Sequence, residues 1–350
     1  MSVLDHNEYN NHEHVAFFND KYSGLQAIIA VHNTNLGPAL GGCRMWSYAN
    51  SEEALTDVLR LSKGMTYKAA MANVALGGGK SVILGDPRAA KTPAMMEAMG
   101  KFVDTFKGRY YTAEDSGISV EDLQHMEKHS NYIAGIHSKY HISEEKSDGN
   151  PSPATALGVF VGVKAAVAYQ YNTDLRGVKV AIQGLGSVGI RLARHLKNAG
   201  AELFVADVYK PNVTVAAEEL GAVIVDPQDI LTLDVDVIAP CALGATINPT
   251  SLPNIKAKVI AGAANNQLAN EGIGTECRNR GILYAPDYVI NAGGIIDIYH
   301  QKIESSDRGL KSHIENIGQT LTDIFKGSDE QDLATNIVAN KIAEERFLKK

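Results

Sequence analysis

One stretch, residues 178–208, constrains the fold more than any other part of the chain. Residues 178–183 (VKVAIQ) read as a strand, 184–189 read GLGSVG, 186–198 carry helical periodicity, and 203–208 (LFVADV) read as a second strand closing on Asp207. Strand, GxGxxG turn, helix and second strand with an acid at its end are together the context a dinucleotide-binding βαβ unit requires. Gly184 permits the tight turn, Gly186 lets backbone N–H groups approach a pyrophosphate at the helix N-terminus, and Gly189 lets helix pack on strand. Gly184, Gly186, Ser187, Val188 and Gly189 are therefore candidate cofactor contacts. Asp207 would accept hydrogen bonds from the adenosine ribose hydroxyls and repel a 2′-phosphate, favouring NAD over NADP, although Lys210 stands close by.

Downstream, the βα rhythm repeats. Residues 222–225, 235–239 and 259–263 read as strands, with PCALG and AANNQ at the ends of the last two. Ligands of open parallel sheets bind at strand C-termini, so Cys241, Ala242, Asn265 and Asn266 are candidates to face the cofactor; for the asparagines, loop capping is an equal alternative. INAGGIID (290–297) adds a Gly-Gly turn, and residues 312–348 read as mostly helical.

A second motif lies upstream in residues 65–87, MTYKAAMANVALGGGKSVILGDP. Lys68 and Lys80 are embedded in apolar residues with no carboxylate between them, and desolvation of that kind lowers a lysine's pKa. A partly neutral lysine serves as a general base. Gly77, Gly78 and Gly79 remove every Cβ before Lys80, so a small ligand could lie against bare backbone. The alternative is that the glycines make a turn and both lysines snorkel to solvent. GGGK is not a Walker loop, because Val82, Ile83 and Leu84 continue as a strand.

Between these motifs and the N-terminus, residues 24–31 read as a strand, 32–42 as a loop with Gly-Pro and Gly-Gly turns, and 51–64 as a helix capped by Ser51 and ended by Gly64. Residues 92–106 read as a helix and 109–113 as a strand followed at once by Glu114 and Asp115, a position for functional side chains as well as for a helix start. The polar stretch 143–153, SEEKSDGNPSP, marks a domain boundary. The expected fold is α/β with two domains: residues 1–145 for substrate, catalysis and oligomerisation, and 146–329 as a Rossmann-type doubly wound domain. A C-terminal helix over about 330–350 returns to the first domain, and the site lies in the cleft between the two.

Composition excludes several classes. A net charge of −7 in 350 residues argues against a nucleic-acid surface. The polar N-terminus has no signal-peptide core, and the apolar run 154–169 is interrupted by Lys164 and too short to span a bilayer, so a cytoplasmic protein with no membrane partner is expected. Three scattered cysteines and the absence of HExxH indicate neither disulfides nor a metal.

GPALGGCRMW, MTYKAAMANVALGGGKSVILGDP, TAED, GLGSVG, PCALG and APDYVINAGG, in this order over nearly the whole chain, resemble the amino acid dehydrogenase superfamily of glutamate, leucine, valine and phenylalanine dehydrogenases, nearest the leucine dehydrogenase branch. The resemblance implies that Lys68 binds the substrate α-carboxylate, that Lys80, with a lowered pKa, activates water or hydrogen-bonds the carbonyl oxygen, and that Asp115 exchanges protons with the amino group. It also implies that Gly41, Gly42 and Gly77–Gly79 line the cleft, that Asn266 touches substrate and that Thr155 holds the nicotinamide carboxamide. Leu40, Ala113, Ile295 and Ile298 become apolar pocket walls. Leu40 stands where glutamate dehydrogenases carry a lysine for the distal carboxylate, so glutamate is disfavoured.

The implied reaction is NAD-dependent reversible deamination of a hydrophobic L-amino acid to the 2-oxo acid and ammonium. Branched-chain substrates come first, with phenylalanine or tryptophan as the alternative and a non-catalytic sensor as a remote one. Asp297, Tyr299 and His300 depart from the leucine dehydrogenase pattern, and Tyr299 would either admit aromatics or narrow the site. With no counterpart to the C-terminal extension of octameric relatives, a homo-oligomer is expected, a dimer in particular.

Overall fold

A computed structural model describes residues 2–136, 150–242, 244–303 and 305–348. Residues 143–149 of the expected boundary lie outside the described residues.

The first unit contains β1 (His14–Asp20), β2 (Leu25–Asn33), β3 (Ala39–Trp46), α1 (Ser51–Met71), β4 (Gly77–Leu84), α2 (Pro93–Asp104), β5 (Tyr110–Ala113) and α3 (Val120–Glu127). Its sheet runs β1-β2-β4-β3-β5, antiparallel in the β1/β2 and β2/β4 pairs and parallel across β4/β3 and β3/β5. Buried Ile28, Val82, Val58 and Leu59 seal α1 on one side, and Ile29, Met45, Met96, Met99 and Phe102 form a second core layer.

Three local expectations are corrected here. Leu40, Gly41 and Gly42 belong to β3 rather than a loop; a Cβ on Gly41 would sit 1.7 Å from the Gly79 carbonyl oxygen, so the Gly-Gly pair serves close strand packing instead of a turn. Helix α1 does not stop at Gly64 but runs on to Met71, and Asn50 rather than Ser51 caps it, accepting from Glu53 N. A mid-helix glycine costs about 1 kcal/mol; burial of Ser62, Thr66, Tyr67, Ala69, Ala70 and Met71 around it outweighs that, and the extension makes Lys68 helical. The third correction concerns Gly293 and Gly294, which open a helix rather than a turn.

The second unit begins with α4 (Ser152–Tyr171) and continues through β6 (Lys179–Gln183), α5 (Ser187–Asn198), β7 (Glu202–Ala206), α6 (Lys210–Leu220), β8 (Val223–Ile224), β9 (Val237–Pro240), β10 (Val259–Ile260), α7 (Gly272–Asn279) and β11 (Leu283–Tyr284). Its strands are all parallel in the order β11-β10-β9-β6-β7-β8, the doubly wound arrangement with its switch point between β6 and β9. Then come α8 (Asp287–Ile290), α9 (Gly293–Lys302), α10 (Asp307–Glu315), α11 (Ile317–Gln331) and α12 (Thr335–Leu348). A Cβ on Gly293 would lie 2.0 Å from the Ala154 carbonyl oxygen, which is why a glycine lets α9 start against α4.

The apolar segment expected to be too short for a bilayer is a 20-residue helix, long and apolar enough by length and composition to cross one. Half of that window is buried inside the fold, where α4 packs on α5, α9 and α11. Helix α12 lies on α1: Tyr67 donates to Glu344, Arg346 donates to the Ala70 carbonyl, and the Phe347 ring meets Tyr67 edge-on.

Candidate active site

Strand β4 places Lys80 where its side chain is only 7% exposed, and the chain leaving β5 delivers Asp115 opposite it. Lys80 Nζ lies 2.6 Å from Asp115 Oδ2. The carboxylate missing from the lysine's sequence neighbourhood is thus supplied from another strand, which corrects the expectation of an unpaired ammonium. Arg44 Nε also donates to Oδ2, while Arg44 Nη1 donates to Asp57 and Tyr48 donates to the same Asp57 oxygen. Burial pushes the Asp115 carboxyl up, but the Lys80 and Arg44 charges outweigh it and hold the group at about 2. A Cβ on Gly42 would meet the Asp115 Cβ at 2.7 Å, so only glycine fits beneath the carboxylate.

Lys68 projects from α1 toward the second unit, where its Nζ reaches Asn265 Oδ1 at 3.5 Å. Asn291 donates to the same oxygen and to the Ala263 carbonyl, fixing the amide's orientation. Burial lowers the Lys68 ammonium to about 8 despite the opposing charge of Asp287. Asn265, expected to face the cofactor, therefore ties Lys68 to the second unit. Asn266 follows in the left-handed region at φ 51° and accepts from Ala245 N through its backbone carbonyl.

The glycine run has a different purpose from the one read in the sequence. A Cβ on Gly77 would strike the Asn33 carbonyl at 2.1 Å, one on Gly78 would strike Thr66 N at 2.1 Å, and one on Gly79 would meet the Tyr110 ring at 2.7 Å. These positions face protein rather than ligand, and the run lets α1 approach β4 closely enough to bring Lys68 toward Lys80.

A cavity of about 240 Å³ opens beside this centre, lined by Leu40, Leu76, Tyr111, Ile133 and Ile298, with Gln301 and Lys302 at its edge. Of the four expected walls, Leu40 and Ile298 line it; Ala113 and Ile295 are buried off it. Tyr299 is not among its lining residues and packs edge-on against His300 and His313.

The residues of the second unit fit a dinucleotide. Gly184 adopts φ 94°, a Cβ on Gly189 would collide with the Gly184 carbonyl at 2.1 Å, and Gly186 has open space where its Cβ would be. Helix α5 starts there with no side-chain cap, leaving its backbone N–H groups for an anion. Ser187 Oγ accepts from Arg191 in the first turn of α5, where Val188 also lies. Asp207 accepts from Leu185 N, Tyr209 N and Asn212, tying the glycine turn to the end of β7. Ala242 packs under Gly184 and Cys241 under Gly189. Burial pushes the Cys241 thiol up to about 12, which keeps it protonated near neutral pH. Thr155 donates to the Pro151 carbonyl at the start of α4. Among the described residues no group of three or more His, Cys, Asp or Glu is placed to hold a metal.

Arg44 and Asn291 escaped sequence reasoning. Arg44 lies two residues beyond Gly42 in β3, so strand alternation puts both on one face, a signal that a strand assignment would have exposed. Asn291 carries no comparable signal.

A parallel dinucleotide-binding sheet facing a lysine–aspartate pair and a second lysine defines an amino acid dehydrogenase. The Glu/Leu/Phe/Val dehydrogenase dimerisation domain matches residues 9–135, and the glutamate/leucine/phenylalanine/valine dehydrogenase domain matches 147–209 and 205–341. The chain belongs to this family of NAD(P)-dependent enzymes, which has a Rossmann domain and an N-terminal dimerisation domain. It is 46% identical to leucine dehydrogenase of Bacillus cereus over 349 residues, covering 99% of this chain and 94% of that one. It is 45% identical to L-tryptophan dehydrogenase of Nostoc punctiforme over 338 residues, covering 96% and 93%. A crystal structure of the Nostoc punctiforme enzyme superposes with a TM-score of 0.83 at 43% identity, covering 97% of this chain and 96% of that one. A glutamate dehydrogenase from Thermus thermophilus, 21% identical with a TM-score of 0.76 and covering 96% and 88%, shares the fold.

Proposed function

We propose that the protein catalyses reversible NAD-dependent oxidative deamination of branched-chain L-amino acids, in which amino acid, water and NAD+ give 2-oxo acid, ammonium and NADH. The observation that carries this reading is the Lys80–Asp115 pair at 2.6 Å in the cleft that Lys68 also enters. Lys68 holds the substrate carboxylate, with Asn266 beside it. Lys80 polarises the oxygen of attacking water or product carbonyl, and Asp115 passes protons to and from nitrogen, so that the two roles fall to neighbouring groups. Bound nicotinamide would supply the hydride acceptor, its carboxamide held by Thr155. Closure of the two units excludes water while Leu40 and Ile298 grip the substrate side chain.

NAD over NADP is supported by Asp207 at the end of β7. We place the domain boundary at 145/146 and favour a dimer, consistent with the dimerisation-domain match. A cytoplasmic setting suits three free cysteines, and the net charge of −7 suits a protein without a nucleic-acid partner.

An aromatic preference is the second reading, favoured by the similarity to a tryptophan dehydrogenase. Initial rates of NADH formation with separate L-amino acids and either dinucleotide decide: highest kcat/KM on leucine, isoleucine or valine supports the first reading, and highest kcat/KM on phenylalanine or tryptophan the second. No turnover on any would leave the fold to a sensor.

A further inference from the structure

The cleft face of the first sheet is organised in rows. Gly42 pairs with Ala113 across β3 and β5, and Leu40 pairs with Tyr111 one pleat repeat away. Paired residues share a face, so the rows step from the Asp115 end to the Leu40–Tyr111 end over about 7 Å. A substrate with its α-carbon at Lys80 and Asp115 therefore directs its side chain along Leu40 toward Tyr111.

At that point the second unit reaches across. Lys302, the last residue of α9, places Nζ 3.8 Å from the centroid of the Tyr111 ring, and both residues line the 240 Å³ cavity. An ammonium above an aromatic face is attracted by the ring quadrupole, weakly where the lysine is exposed, as here.

We propose that the Lys302–Tyr111 contact is the outer wall of the substrate side-chain pocket and sets the length of side chain the enzyme accepts. This rests on the proposed deamination of hydrophobic amino acids and adds a specificity determinant contributed jointly by the two units. Leucine ends short of the wall. A phenyl or indole group must displace the ammonium from the ring, so the contact works against longer side chains. Because it forms only when α9 lies over β5, it also ties selection to closure of the cleft.

The test compares kcat/KM for leucine, phenylalanine and tryptophan in the parent, Lys302→Ala, Lys302→Arg and Tyr111→Phe proteins. Lys302→Ala should raise the phenylalanine-to-leucine and tryptophan-to-leucine ratios about two- to fivefold. Lys302→Arg and Tyr111→Phe, which retain a cation over an aromatic face, should keep the parent's ratios. Ratios unchanged in Lys302→Ala, or shifted equally in Lys302→Arg, would overturn the proposal. A parent that prefers aromatic substrates would instead correct the branched-chain reading, while the shift between variants would still report on the wall.

Discussion

Arg44 Nε lies 3.1 Å from Oδ2 of Asp115, the same oxygen that Lys80 Nζ reaches. Two cations converge on one carboxylate oxygen, and their charge holds the group at about 2 against the upward push of burial. The ordinary value is 3.8, so the stability this carboxylate contributes is complete above that pH and is lost as pH falls toward about 2. Arg44→Met removes one cation, and the Asp115 carboxyl should then titrate at higher pH in carbon-13 NMR of aspartate-labelled protein. Identical titration in parent and variant would dissociate Arg44 from the catalytic carboxylate.

Lys68 gives a prediction at the opposite end of the pH scale. Its folded-state value of about 8 lies below the ordinary 10.5, so the unfolded chain binds the proton more strongly. The burial penalty is complete below about pH 8 and is relieved as pH rises toward 10.5. Loss of the ammonium should raise KM for the amino acid above about pH 8 while leaving KM for the dinucleotide flat. Lys68→Met should weaken substrate binding by about 2–5 kcal/mol without lowering the melting temperature at pH 7; an unchanged KM for the amino acid would remove Lys68 from the carboxylate site.

Gly78→Ala probes the approach of helix to sheet. The new methyl would fall 2.1 Å from Thr66 N, which is backbone and cannot swing away, so α1 must lift from β4. Overpacking of this kind costs about 1–3 kcal/mol. Because Lys68 rides on α1, kcat/KM should fall more than stability alone explains, and normal kinetics in a destabilised variant would refute that link.

Asp207→Ala should weaken NAD binding, narrow the preference over NADP and loosen the glycine turn, because Leu185 N and Tyr209 N lose their acceptor. Losing such hydrogen bonds costs about 1–3 kcal/mol where the groups stay buried. Dinucleotide titration calorimetry checks the first two effects and thermal unfolding the third. An unaltered NADP-to-NAD affinity ratio would move discrimination to another residue.

The Rossmann half was legible because its signals are local: GLGSVG lies between strand and helix within a short stretch, and one turn chemistry serves one purpose there. The first unit was harder to read where glycines are used for packing. Gly41 and Gly42 in β3, Gly64 in α1 and Gly293 in α9 resemble turn or stop signals, yet each lies inside or opens a regular element. What decides between those uses is the neighbouring backbone, supplied by residues far along the chain. The Lys80–Asp115 pairing was invisible for the same reason, and so was Arg44, since a carboxylate just past β5 and a guanidinium on β3 become neighbours only once the sheet order is set.

Helix α12 closes the face of α1 that carries Tyr67, although the hydrogen-bonded partners Tyr67 and Glu344 are 277 residues apart in sequence. During synthesis the first sheet and α1 emerge long before α12 exists, at a rate of about 5–20 residues per second. Tyr67, Ala70 and the neighbouring His32 ring must therefore wait uncovered while the whole dinucleotide-binding unit is translated. The unit that begins to fold first therefore completes its packing only when α12 arrives, and the helix that carries Lys68 keeps one face open until then.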